Sequence, residues 1–341
     1  MRGLRIHDVG GDLCAEQLPE PRPAADEVLI QVEACGIGRT LLNAIDGRLA
    51  RPPDLPVVPG HEIVGRVSQQ GNGVTRPAIG TRVVTYFHLF CGRCIPCTDG
   101  AQQFCLDHGG QVGMQRDGGY APWVSLPARM CVPIDEAIGA ADATAIPDAI
   151  ATAIHVCSTV ASVGPGDRVV VIGAAGSVGV HVVQVAALQG AEVVGIDANE
   201  DKLTALADLT GCHVLVPQQR DEVTDATVVI DLVGTADVVT WAISVLAPRG
   251  RLVLLTMAGR DPVAIDLRSA VGRQLSIRGS RYASLAEVAL AARLVSSGQV
   301  TPVVSAVGTL DTAPQIHEQV RRGEVFGRGA VVIEGSSLKQ D

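Results

Sequence analysis

The chain has 341 residues, which at roughly 150 residues per domain suggests two domains, each able to bury its own core. Apolar residues make up 47% of it, yet no apolar run reaches the ~18 residues that span a bilayer. The opening Met1-Arg-Gly-Leu-Arg-Ile-His-Asp8 lacks the apolar stretch of a signal peptide, so a cytoplasmic protein with no membrane partner is expected. A net charge of -9, no Lys/Arg cluster and 3% aromatic residues exclude nucleic acid as the main partner.

The first ~150 residues read as β-rich from period-2 alternation and turn punctuation. Glu27 to Ala34 (EVLIQVEA) and Glu62 to Ser68 (EIVGRVS) partly alternate apolar and polar, and breakers cluster between them, as in Arg51 to Gly60 (RPPDLPVVPG). Further along come Cys91, Cys94, Cys97 and Cys105, spaced C-x2-C-x2-C-x7-C. Four thiolates on one short loop can close a tetrahedron around Zn²⁺, leaving no open position, so the ion would be structural. An iron–sulfur cluster, a redox pair and four idle thiols are the alternatives. The x7 gap and Leu106 after the last cysteine do not fit the bacterial ferredoxin run. The other five of the nine cysteines (14, 35, 131, 157, 212) are scattered, as separate thiols rather than a disulfide framework.

The pattern changes near residue 150. Arg168 to Ile172 (RVVVI) is a β-branched run suited to a strand buried on both faces. A helix follows over about Ser177 to Leu188, with Val178, Val182, Val185 and Leu188 on one face. Short strands are expected at Val193–Ile196, Val214–Val216, Thr227–Leu232 and Arg251–Leu255, with helices at about Glu200–Leu209 and Ala236–Leu246. Strand and helix in alternation predict a doubly wound parallel sheet, and hence an α/β protein. The tail offers a helix over about Leu285–Ser297 and strands at Val303–Val307 and Gly329–Ile333. Its ~60 residues are too few for a typical third domain.

The turn after the first of these strands reads Gly173-Ala-Ala-Gly176-Ser177-Val178-Gly179. Glycine belongs where the backbone turns tightly and approaches a pyrophosphate, and the helix that follows aims free N–H groups at the phosphates. Asp197 stands about twenty residues on. A carboxylate there accepts from ribose hydroxyls and repels a 2′-phosphate, which favours NAD(H) over NADP(H). A packing turn that binds nothing, and a solvated loop carboxylate at Asp197, are the plainer alternatives.

Taken together, Glu33-Ala-Cys-Gly-Ile-Gly-Arg-Thr40, Pro59-Gly-His-Glu62, the cysteine lobe, Gly173 to Gly179, Asp197 and Gly327-Arg328 resemble the zinc-type alcohol dehydrogenases of the medium-chain dehydrogenase/reductase family. The resemblance implies a GroES-like β domain over 1–148, with the zinc lobe at about 88–108. It implies a Rossmann NAD-binding domain over 149–283 and a segment, 284–341, returning to the first domain. By the same resemblance Arg39 would contact the cofactor pyrophosphate, Lys202 would support ribose binding and Arg328 would lie near the phosphates. Thr40 would hydrogen-bond the substrate oxygen and pass on its proton. His61 would ligate a catalytic zinc, with Glu62 as a neighbouring or alternate ligand and Asp148 as the third. The family forms dimers and tetramers, so a homodimer or homotetramer is implied.

One departure bears on the chemistry. The family motif is Cys-Gly-x-Cys-x-Ser/Thr-Asp, and its second cysteine ligates the catalytic zinc. That position is Gly38, which has no side chain, while Leu41 and Asn43 stand where an aspartate and, in some members, a relay histidine occur. A catalytic zinc needs three protein ligands and an open position. His61, Glu62 and Asp148 supply a set harder than one with thiolate. Asp148 is also placed to N-cap a helix over Ala149–Val156, and His61 can be a hydrogen-bonded histidine at a strand start. The expected activity is NAD(H)-dependent interconversion of an alcohol and an aldehyde or ketone on a small molecule. The alternatives are reduction of an activated alkene or iminium without a catalytic metal, and a non-catalytic NAD(H)-binding protein.

Overall fold

A computed structural model describes residues 1–49, 51–256 and 262–333. The last residues of the 284–341 segment therefore lie outside the described residues. The chain divides into two compact units. One comprises 1–148, 284–298 and 302–341; the other comprises 149–283 and 299–301.

The first unit opens with a hairpin, β1 (Arg2–Arg5) and β2 (Cys14–Gln17). Its main sheet uses β3 (Glu27–Ile37), β4 (Ile63–Gln70), β5 (Arg82–Thr85), β6 (Trp123–Pro127) and β7 (Cys131–Pro133). β3 runs three residues past the expected strand and is buried along almost all of its length, not on one face only. Its polar residues are absorbed by partners rather than by water. Glu27 accepts from Ser125 at 2.7 Å and Arg116 at 2.6 Å, and Glu33 pairs with Arg82 at 2.7 Å. Burial without such partners would cost several kcal/mol per charge.

A helical stretch over Ala140–Val160 then carries the chain from the first unit into the second. It is long and apolar enough to cross a membrane, but 83% of its 18-residue apolar window is buried inside the protein, as in a core helix. This stretch is continuous through Asp148. Pro147 removes a backbone donor, and the helix widens to π geometry over Ile146–Ile150. Asp148 therefore sits within a helix and caps none.

The second unit is a six-stranded parallel sheet. Its strands are β8 (Arg168–Ile172), β9 (Glu192–Ile196), β10 (His213–Leu215), β11 (Ala226–Asp231), β12 (Leu246–Leu254) and β13 (Ser276–Gly279). Their spatial order is β10-β9-β8-β11-β12-β13, the dinucleotide-fold order with a switch point beside the first strand. Helices Gly179–Leu188, Glu200–Thr210 and Ala236–Val245 connect them. Asn199 caps the second and Thr235 the third. Val170, Val194, Leu215, Trp241 and Leu252 belong to the core. Leu188 is exposed rather than on the buried face, because the helix ends there at the Gln189-Gly190 turn.

The chain then rejoins the first unit. Ser284 and Glu287 form a reciprocal capping box that starts helix Leu285–Ser296. β14 (Val304–Gly308) pairs parallel with β15 (Arg328–Val332), and β15 pairs antiparallel with β3. The main sheet thus reads β14-β15-β3-β4-β5-β7, with β6 also on β3. Helix Ala313–Arg321 between these strands buries Ala313, Ile316, His317 and Val320.

Candidate functional site

The four lobe cysteines converge. Their sulfur atoms lie within 4.8 Å of one another, with Cys94–Cys97 at 3.4 Å, Cys94–Cys105 at 3.8 Å and Cys91–Cys97 at 4.0 Å. Thiolates at ~2.3 Å from a tetrahedral zinc stand ~3.8 Å apart, so the donor set fits that ion. Backbone N–H groups of Cys91, Arg93 and Leu106 donate to Cys105, Cys91 and Cys94 sulfurs at 3.3, 3.5 and 3.4 Å. The Leu106 amide is the largest influence bringing the Cys94 thiol down to about 6, whereas burial pushes Cys97 up to about 12. None of the nine cysteines forms a disulfide. His88 and His108 bond to each other at 2.8 Å beside the lobe.

In the second unit, Gly173 has φ +80°, which turns the chain sharply off β8. A Cβ at Gly179 would meet the Ala174 carbonyl oxygen at 2.8 Å, so the helix start packs directly on the loop. Asp197 closes the other side. Its Oδ2 accepts from the Ala175 N–H at 3.0 Å and its Oδ1 from the Asn199 N–H at 3.2 Å. A cavity of about 200 Å³ opens here, lined by Ile172, Gly173, Asp197, Pro217, Arg220 and Trp241. Ser177 and Val178 end the loop, and Lys202 is half-buried in the first turn of the next helix. Arg220 and Trp241 escaped the sequence reading. They stand 20 or more residues beyond the motif, and only the fold brings them to it.

The third cluster lies in the first unit. His61 and Glu62 sit just before β4 and are wholly buried; Asp148 comes from the π turn. Single donor atoms of these three lie within 4.8 Å of one another. His61 Nε2 is 3.4 Å from Glu62 Oε1 and 3.8 Å from Asp148 Oδ2, and its ring packs on Phe87 with centroids 4.5 Å apart. Among the described residues neither ring nitrogen of His61 makes a well-aligned hydrogen bond, Nε2 having only these carboxylate contacts.

Between the carboxylates lies a guanidinium. Arg328, 1% exposed at the start of β15, donates from Nε and Nη2 to the two oxygens of Glu62 and from Nη2 to Asp148 Oδ2. Burial opposes ionisation of Asp148. The adjacent Arg328 charge and the His61 contacts outweigh it, holding the carboxyl well below its usual range. The family resemblance implies a place for Arg328 near the cofactor phosphates; in this structure its guanidinium contacts these two carboxylates. The side chain also fills the space that Gly38 leaves. A Cβ at Gly38 would come against Arg328 Nη2, with Cζ at 2.8 Å and Glu62 Oε1 at 2.9 Å. The Gly38 φ of -114° and ψ of 168° suit any residue, so a side chain there is limited by room and not by backbone strain.

His61, Glu62 and Asp148 form a donor set that could hold a metal ion, and Arg328 already stands between its two carboxylates. Glu62 spends both oxygens on Arg328, Asp148 spends Oδ2, and the place of the missing thiolate holds a cation. Nearby, Arg39 is exposed and donates to the Val320 carbonyl at 3.4 Å, and Thr40 is half-buried in the first turn of helix Arg39–Ile45.

The alcohol dehydrogenase GroES-like domain model matches residues 24–136, and the zinc-binding dehydrogenase model matches residues 177–297. The chain belongs to the zinc-type alcohol dehydrogenases. It is thus an oxidoreductase of the medium-chain family. An alcohol dehydrogenase of Moraxella sp. is 29% identical, covering 98% of this chain and 99% of that protein. An acryloyl-coenzyme A reductase of Sulfurisphaera tokodaii is 25% identical over 92% of this chain and 94% of its own. Among solved structures, an NAD-dependent alcohol dehydrogenase superposes with a TM-score of 0.91 at 30% identity, covering 97% of this chain and 99% of that one.

Proposed function

We propose that this dehydrogenase interconverts a small alcohol and its aldehyde or ketone using NAD(H), in the cytoplasm, as a homodimer or homotetramer. The observation that carries the reading is the glycine turn on the first strand of a dinucleotide-order sheet, closed by Asp197. Gly173, Gly176, Ser177, Val178 and Gly179 would cradle the pyrophosphate with Arg39, while Asp197 and Lys202 would hold the adenosine ribose. When bound, the nicotinamide supplies or accepts the hydride. Thr40 would donate its hydroxyl hydrogen to the substrate oxygen. His61, buried with unsatisfied ring nitrogens, would orient the same oxygen, since an unmet buried polar atom costs roughly 1–3 kcal/mol until a ligand meets it. Cys91, Cys94, Cys97 and Cys105 would hold one structural zinc.

The test is NADH consumption across a panel of aldehydes, ketones and conjugated enoyl compounds, with NAD⁺ reduction by the matching alcohols. Steady carbonyl reduction is expected; a panel with no hydride exchange would sink the reading. Replacing Asp197 with alanine should weaken NADH binding roughly tenfold, through ~1–1.5 kcal/mol of lost hydrogen bonding, and should weaken NADPH less. Binding titrations that move both cofactors equally would remove Asp197 from the ribose. A second reading, reduction of an activated alkene, is favoured by Arg328 standing where a Lewis acid would act and by the acryloyl-coenzyme A reductase similarity. Enoyl thioester turnover far above ketone turnover would select it.

A further inference from the structure

We infer that Arg328 is the resident cation of the His61–Glu62–Asp148 cluster, and that this chain holds no metal there. Three observations converge on it. The guanidinium contacts both candidate carboxylate ligands, bidentately for Glu62. It occupies the volume of the absent residue-38 side chain, so a Cβ there and Arg328 in its present place exclude each other. It is also buried on a strand held on two sides, by β14 and by β3, so it is a built-in part of the fold.

The electrostatics agree with a permanent occupant. A guanidinium is protonated at any accessible pH, and its planar fork matches a carboxylate in two parallel bonds. Two buried carboxylates without a cation would repel each other in a low-dielectric interior. A metal ion solves that problem in one way and Arg328 in another. Gly38 and Arg328 thus form a matched pair 290 positions apart: the loss of the ligand side chain at 38 is what admits the guanidinium.

This deepens the oxidoreductase reading by assigning the charge at its centre, and it is tested without substrate. Wild-type protein is equilibrated with Zn²⁺, gel-filtered and analysed for metal, and zinc positions are located by anomalous diffraction. About one zinc per chain is expected, with its peak among the four lobe cysteines. A second peak between His61 and Asp148, with stoichiometry near two falling to one in His61→Ala, would overturn the inference. The double variant Gly38→Cys/Arg328→Ala supplies a ligand and removes the occupant; it is expected to rise toward two zincs per chain. A folded double variant that still takes one would overturn the claim that Arg328 keeps the metal out, and if that variant fails to fold, the wild-type peaks decide. Two wild-type zincs would leave hydride transfer standing, whereas absent NADH turnover would leave the metal count standing.

Discussion

Gly38 has extended backbone that any residue can adopt, so its substitution isolates the effect of volume. Gly38→Ala adds one methyl group against Arg328 Cζ and Glu62 Oε1. We expect a loss of about 1–3 kcal/mol, the usual cost of overpacking a dense interior, read as a lower urea midpoint at unchanged slope. A neutral Gly38→Ala would mean that Arg328 moves aside freely. At this scale the sequence was informative about which residues matter and poor at saying what they meet. Cys91 to Cys105 announced their site because the ligands fall within one loop. The grouping of His61, Glu62 and Asp148 was legible, and the three meet in space. Their central partner was not, because Arg328 lies 266 residues from Glu62 and nothing local to either residue encodes the pair.

Among the elements, helix Ala313–Arg321 carries a pH-sensitive contact. The His317 ring and the Tyr120 hydroxyl bond at 2.7 Å in a buried site. Burial, with the Arg321 charge adding to it and Asp46 opposing, brings His317 from its ordinary value of 6.5 down to about 4. The folded state therefore resists a proton that the unfolded chain accepts. Stability from this group is complete above pH 6.5 and is lost as pH falls toward 4, by on the order of 2–3 kcal/mol. His317→Gln should flatten that part of the stability profile; an unchanged slope would remove His317 as its source. The cysteine lobe makes a second element-scale prediction. Cys94→Ser removes one of four ligands, so zinc should drop by one per chain and the lobe should become protease-sensitive. Its exposed apolar residues, Ile95, Phe104 and Leu106, ride on the short loop that the ion would close, and loss of ~3 kcal/mol would lower Tm by on the order of 10 °C. Strand and helix positions were legible wherever periodicity was strong: β8 matches its expected bounds, and Ala236–Val245 ends one residue early. The single helical stretch through Asp148 was not, because Pro147 reads locally as a stop and only burial carries the helix across it.

For the whole molecule, the decisive feature is that the first unit is discontinuous in sequence while nearly all of the second is one run. A chain ending at residue 283 would lack β14 and β15, leaving the Ala34 to Ile37 end of β3 without its β15 partner and Glu62 and Asp148 without Arg328. An unpaired buried charge costs about 3–5 kcal/mol, so this truncation is expected to be insoluble or to lack cooperative unfolding of the first unit by circular dichroism. A soluble, cooperatively folded 1–283 would show that the returning strands are dispensable. The same discontinuity has a consequence for biosynthesis. Translation delivers β3, Glu62 and Asp148 early and Arg328 only after the entire parallel sheet has been made. The unit that begins second can therefore finish first, and the nascent amino-terminal half must wait, with two carboxylates in search of a counter-ion, until the last strands arrive.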